Sequence, residues 1–133
     1  MANKIVSFED LIVWQKAQEL AAKIYLLADT NTFIKKDFAL TNQLKSSSIS
    51  ISDNIAEGFE RMTDTDFARL LDIAKGSTGE VRSMYYAAQD LKYVATDVAE
   101  ERRTRCRQIG SAISALALHL RPDGGATPRR ARR

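Results

Sequence analysis

Asn54, Glu57 and Arg61 stand about one helical turn apart along SDNIAEGFER, and Glu80 follows in the next long segment. An amide, a carboxylate and a guanidinium on one helical stripe, with a second carboxylate beside them, would make a polar constellation able to bind a small ligand or an anion. The simpler alternative gives the same residues structural roles. Asn54 would satisfy a neighbouring backbone group across a helix interface, and Glu57 with Arg61 would form an i,i+4 pair worth only about 0.2–0.5 kcal/mol. The simpler reading is the stronger one.

A second set is basic. Arg102, Arg103, Arg105 and Arg107 gather near the start of the last long segment, partly neutralised by Glu100 and Glu101, and Arg121, Arg129, Arg130, Arg132 and Arg133 crowd the C-terminal end. Flexible arginines neutralise phosphates without reading base edges, so such a set would bind nucleic acid irrespective of sequence. The expected contacts are Arg103, Arg107, Arg129, Arg130, Arg132 and Arg133. The plain alternative is a solvated charge run. Tyr85, Tyr86 and Tyr93 have few arginines near them in sequence, which gives little support to stacking of single-stranded bases.

Other chemistries find no footing. A di-metal carboxylate bundle needs Glu-x-x-His pairs, and Leu116 occupies the position three before the single histidine, His119. His119 reads as a half-exposed residue near a helix end, where the dipole favours its cation. One cysteine, Cys106, makes no internal disulfide and reads as a small buried hydrophobe. Ser77 lacks the strand-turn-helix setting of a nucleophile elbow, and GSTG lacks the lysine of a P-loop. No catalytic residue, metal or cofactor is expected.

Composition sets the frame for these residues. The 133 residues have room for one domain with a proper core. With 44% apolar and 28% charged residues the chain resembles an ordinary soluble protein. No apolar run reaches the roughly 18 residues of a membrane span, and MANKIVSFED lacks a signal-peptide core, so a cytoplasmic location is expected. The net charge of +3 sits wholly in PDGGATPRRARR, residues 122–133, which hold four arginines and one aspartate. That segment is expected to be a disordered tail, and residues 1–121 a single domain.

Both prolines lie in the tail, so nothing before it forbids long helices. The first helix is expected after Ser7, with Asp10 completing a cap, and runs to about Ala28 through Val13, Ala17, Leu20, Ile24 and Leu27. The second spans about 36–61. It contains KSSSISIS, whose alternation suggests a strand, but Leu40, Leu44, Ser47, Ile51, Asn54, Ile55 and Gly58 fall within an arc of about 100° at helical pitch. The helix is preferred, and Ser47 and Gly58 then mark close approach of a neighbouring helix. The third begins after Thr63 or Thr65 and continues to about Val94, with Phe67, Leu70, Ala74, Ser77, Val81, Met84, Ala88, Leu91 and Ala95 in steps of three and four. The fourth follows Thr96 as cap and reaches about Leu120 through Ala99, Cys106, Ile109, Ile113 and Leu116, with Arg102 in the remaining seam position and its head reaching water. Short connections make successive helices antiparallel neighbours, an all-α up-down-up-down four-helix bundle.

The first two helices carry more apolar surface than such a core uses. Leu11, Trp14, Ala21, Tyr25 and Ala28 widen the first stripe to about 200°, and Phe38, Ile49 and Ala56 lie nearly opposite the second. A homo-oligomer interface including Trp14, Tyr25, Phe38 and Ile49 is expected.

FEDLIVWQKAQELAAKIY (8–25), FIKKDFALTNQLKSSSISISDNIAEGFER (33–61) and FARLLDIAKGSTGEVRSMYYAAQDLKYV (67–94) together resemble the four-helix-bundle proteins encoded in intervening sequences of bacterial 23S rRNA genes. More distantly they resemble the accessory variability proteins of diversity-generating retroelements. The resemblance covers nearly all of residues 8–120, and NIAEG followed by IAKGS with a downstream Glu is specific in combination. It implies a small cytosolic bacterial protein, a left-handed antiparallel bundle, a ring-shaped homopentamer and an association with RNA or nucleic-acid machinery, with no catalysis. The matching motif positions are Trp14, Gln43, Asn54, Glu57, Gly58, Arg61, Gly76, Ser77 and Glu80. Lys45, Ser46, Ser47 and Ser48 depart from the basic and alanine-rich pattern usual there, and the Arg-rich tail lies outside the pattern. The expected function is therefore a non-enzymatic oligomer binding RNA through phosphates; a scaffold that binds a partner protein is the alternative.

Overall fold

A computed structural model describes residues 4–121, so the expectations for a disordered tail and for Arg129, Arg130, Arg132 and Arg133 lie outside the described residues. The described residues form four long helices: α1 (Ile12–Thr30), α2 (Phe38–Glu60), α3 (Asp64–Asp90) and α4 (Thr96–Leu120). Single 3-10 turns at Phe8–Asp10 and Ile34–Lys36 precede α1 and α2, and no strand occurs among the described residues. The architecture is all-helical and consistent with a four-helix bundle.

The serine-isoleucine alternation is helical throughout, within α2. Ile51, Ser47, Ser48 and Ser52 are buried while Ile49 is only half-buried, a distribution that period 2 would not give. The small residues admit α3 at close range. A Cβ built on Gly58 would stand 2.7 Å from Phe67 Cδ1 and 3.3 Å from Leu70 Cβ, so only glycine fits there without displacement. Further along, Ser77 Oγ donates to Ser50 Oγ (2.9 Å) and Ser47 Oγ to Glu80 Oε1 (3.2 Å).

α3 packs extensively against both α2 and α4, whereas α1 and α4 touch less. Its buried set is accordingly wide, with Phe67, Leu70, Leu71, Ala74, Val81, Tyr85 and Ala88 all inside. Val13, Ala17, Leu20 and Ile24 of α1, Leu44 and Ile55 of α2, and Ala99, Cys106, Ile109, Ile113 and Ala117 of α4 complete the core.

Element ends differ from expectation in three places. Ser7 heads the 3-10 turn rather than α1: its N–H and that of Val6 donate to Asp10 Oδ2 (3.1 and 2.9 Å), which holds the Asp10 carboxyl below its ordinary value. Thr96 is the first residue of α4, not its cap, and follows Ala95 without a side-chain cap. α3 stops at Asp90 instead of about Val94, leaving Leu91 exposed. Lys92 takes a left-handed conformation (φ 61°), and the N–H groups of Lys92 and Tyr93 return to the carbonyls of Gln89 and Ala88, both at 2.9 Å. This is the glycine-type helix stop, closed by a lysine. Lys92→Gly should stabilise the protein by about 1 kcal/mol by relieving the Cβ penalty, read as a rise in the urea midpoint at unchanged slope.

Beyond this stop, the Tyr93 hydroxyl donates to Asp37 Oδ2 (2.9 Å), whose other oxygen caps α2 at the Leu40 N–H (3.0 Å). Asn31 Nδ2 donates to the Tyr93 carbonyl (2.9 Å), while Asn31 Oδ1 accepts from the N–H groups of Phe33 (3.0 Å) and Ile34 (2.8 Å). The α1–α2 and α3–α4 connections are thus tied together.

Two buried ionisable groups sit in the core. Burial pushes the Cys106 thiol up to about 12 despite the nearby Arg82 and Arg107 charges, and pushes the Tyr85 hydroxyl up to about 12 against the opposing pull of Arg102. In the unfolded chain these groups ionise nearer 9.0 and 10.0, so their contribution to stability is complete below about 9 and is lost as pH rises towards 12. Two measurements check this: equilibrium unfolding should grow easier through that window, and at pH 8 iodoacetamide should modify Cys106 only at the rate set by opening of the fold.

Candidate nucleic-acid interface

The motif residues occupy separate places. Asn54 Nδ2 donates to the Ser50 carbonyl (2.8 Å) and Ser50 Oγ (3.0 Å), within its own helix rather than across the interface. Through Ser50 it joins the Ser77 contact. Glu80 meets Ser47 about two turns away. At the end of α2, Glu57 and Arg61 form the i,i+4 pair (2.5 Å), and Arg61 also lies 3.9 Å from Asp66 of α3. These are separate contacts within α2 and between α2 and α3, not one ligand-binding cluster.

The arginines of α4 divide sharply. Glu101 holds both Arg102 and Arg105; partial burial raises its carboxyl, but the Arg105 and Arg102 contacts outweigh burial and keep it below the ordinary value. The Arg102 side chain is only 19% exposed, against the expectation of a head reaching water, and its buried Nε and the buried Tyr85 hydroxyl lack hydrogen-bond partners within the described residues. Arg121 pairs with Asp72 of α3. Arg103 requires a correction: it is 6% exposed, donates to Gln89 Oε1 (2.8 Å) and lies 4.0 Å from the centre of the Tyr86 ring. A guanidinium packed in this way is not free to meet a phosphate.

Arg107 remains. It is exposed, donates only to Thr104 Oγ1 (3.1 Å) among the described residues and makes no ion pair there. The Tyr86–Arg103 contact, the approach of Gly110 to Thr78 and the Asp72–Arg121 pair fix the register of α3 on α4. That register sets Arg107 across from Arg82, which is also exposed and without an ion pair among the described residues. Arg82 belongs to α3 and was not singled out by the sequence, because its nearness to Arg107 is a product of the fold.

The expected oligomer residues also divide. Trp14 is half-buried and packs edge-on to Phe8, ring centres 5.1 Å apart, so its bulk is used inside its own chain. Ala21 and Ala28 are buried and Ile49 half-buried, which absorbs much of the surplus stripe. Tyr25 is exposed, with the Lys45 ammonium 5.2 Å from its ring centre. Phe38 is 73% exposed, and Leu26 and Phe33, which the periodic reading missed, are exposed at the same turn.

The model of the 23S rRNA-intervening sequence protein family matches residues 9–115. The chain belongs to that family. The matched stretch contains all four helices to within the last turns of α4, and so includes Arg82, Tyr86, Arg103 and Arg107, whereas residues 122–133 fall outside the family match. A crystal structure of a protein of unknown function from the S23 ribosomal protein family of Bacteroides thetaiotaomicron VPI-5482 has the same fold, with a TM-score of 0.75 over 80% of this chain and 98% of that chain at 23% identity. No curated protein matches the chain. No helix among the described residues is long and apolar enough to cross a membrane.

Proposed function

We propose that this member of the 23S rRNA-intervening sequence protein family is a non-enzymatic, homo-oligomeric RNA-binding protein of the bacterial cytoplasm. Each subunit is an antiparallel, left-handed up-down-up-down bundle, and five form a ring. One observation carries the nucleic-acid reading: Arg82 and Arg107 are exposed on neighbouring helices with no ion pair among the described residues, while the other arginines of α4 are neutralised or packed away. Arg129, Arg130, Arg132 and Arg133 add four cations per chain, and repetition around a ring converts weak contacts into avidity. Leu26, Phe33 and Phe38 support a subunit contact at the α1–α2 turn.

The test is a fluorescence-anisotropy titration of structured RNA with the full chain, a 1–121 truncation and an Arg82→Glu/Arg107→Glu variant across salt concentrations, with light scattering for assembly size. The full chain should bind with a steep salt slope. The double variant should flatten that slope by roughly 1.4–1.8 per bound subunit, because two phosphates are no longer neutralised. Absence of RNA binding at physiological salt, with salt-insensitive capture of a partner protein at the exposed α1–α2 turn, would favour the scaffold reading instead.

A further inference from the structure

We propose that Tyr86 is a stacking platform for one unpaired base of single-stranded RNA, with Arg82 and Arg107 holding the adjoining phosphates; this rests on the phosphate-binding reading above. Tyr86 is 52% exposed on the outer side of the α3–α4 seam, and the Arg103 guanidinium lies 4.0 Å from its ring centre. Arg103 itself is 6% exposed, so the ring covers the guanidinium and turns its other face to solvent. The Gln89 bond (2.8 Å) holds the guanidinium in place.

Three consequences make this arrangement suited to a base. The ring is held flat by the cation beneath it, so little side-chain freedom is lost when a base arrives. The cation occupies only one face of the ring, which leaves the open face to any base, since every base has a π-face. Arg82 precedes Tyr86 by four residues and Arg107 follows Arg103 by four, which places both charges on the same side of the platform, about 6 Å along the helices. In the opposite direction stand Asp90 and Glu100, both exposed carboxylates, so a phosphate backbone is favoured on one side only. A duplex keeps its bases stacked on one another and presents only phosphates, so the platform discriminates single from double strands.

The experiment titrates the full chain against fluorescein-labelled oligouridine and against an RNA duplex of equal length. Tyr86→Ala should weaken oligouridine binding about tenfold, leave duplex binding within about twofold and leave the salt slope unchanged, while Tyr86→Phe should bind like the parent. Arg82→Glu with Arg107→Glu should weaken both ligands and flatten the slope. If Tyr86→Ala binds oligouridine like the parent while the charge variant does not, the platform is overturned and phosphate binding survives. If the parent binds neither RNA, both fall. Should Tyr86→Ala fail to fold by circular dichroism, the parent is titrated with a strand carrying 2-aminopurine. Quenching on binding supports stacking, and bound but unquenched probe overturns it.

Discussion

Ile51→Ala is expected to lower the unfolding free energy by about 3 kcal/mol, and Ile49→Ala by less than about 1 kcal/mol, in paired urea titrations. Ile51 is fully buried in a core where removed methyl groups leave a cavity, whereas Ile49 is half-buried and gives up less packing. The two residues stand two apart and would share one face of a strand. Equal losses would therefore contradict the helical placement of the whole serine-isoleucine run.

A comparable loss, about 3 kcal/mol, is expected for Gly58→Leu. Leucine recovers about 1 kcal/mol of helix propensity, yet its Cβ would enter the Phe67 ring contact at 2.7 Å and the rest of the side chain has no space between α2 and α3. Phe67 cannot simply swing away, because it packs edge-on against Phe59 with ring centres 6.0 Å apart. Gly76→Ala and Gly79→Ala provide the contrast. Neither added Cβ meets anything within 4 Å, so each substitution should add about 1 kcal/mol of helix stability. A Gly58→Leu protein as stable as the parent would mean that α2 and α3 can move apart at little cost.

The role of Gly58 was legible in sequence because a glycine in mid-stripe has no other local reason to be there. Helix count and most boundaries followed from periodicity in the same way. The end of α3 did not, since a lysine carries no signal for a left-handed stop. The arginines of α4 show the deeper limit. Seam arithmetic places Arg102 inward and leaves Arg103 outside, but α3 covers a broad flank of α4, and Arg103 is the more buried of the two residues. Its partner, Tyr86, lies on another helix, so only tertiary register brings them together. The division of Asn54, Glu57, Arg61 and Glu80 into separate contacts likewise depended on which serine or carboxylate each reaches, on its own helix or on the facing one.

The tie between Asn31, Asp37 and Tyr93 makes two sequence-distant turns into one unit of local opening. Freeing the α3–α4 turn breaks the Tyr93–Asp37 bond, and loosening the α1–α2 turn breaks the Asn31–Tyr93 bond. The amide protons of Ile34 and Tyr93 should consequently exchange with deuterium at closely matched protection, as members of a single foldon rather than as two independently fraying loops.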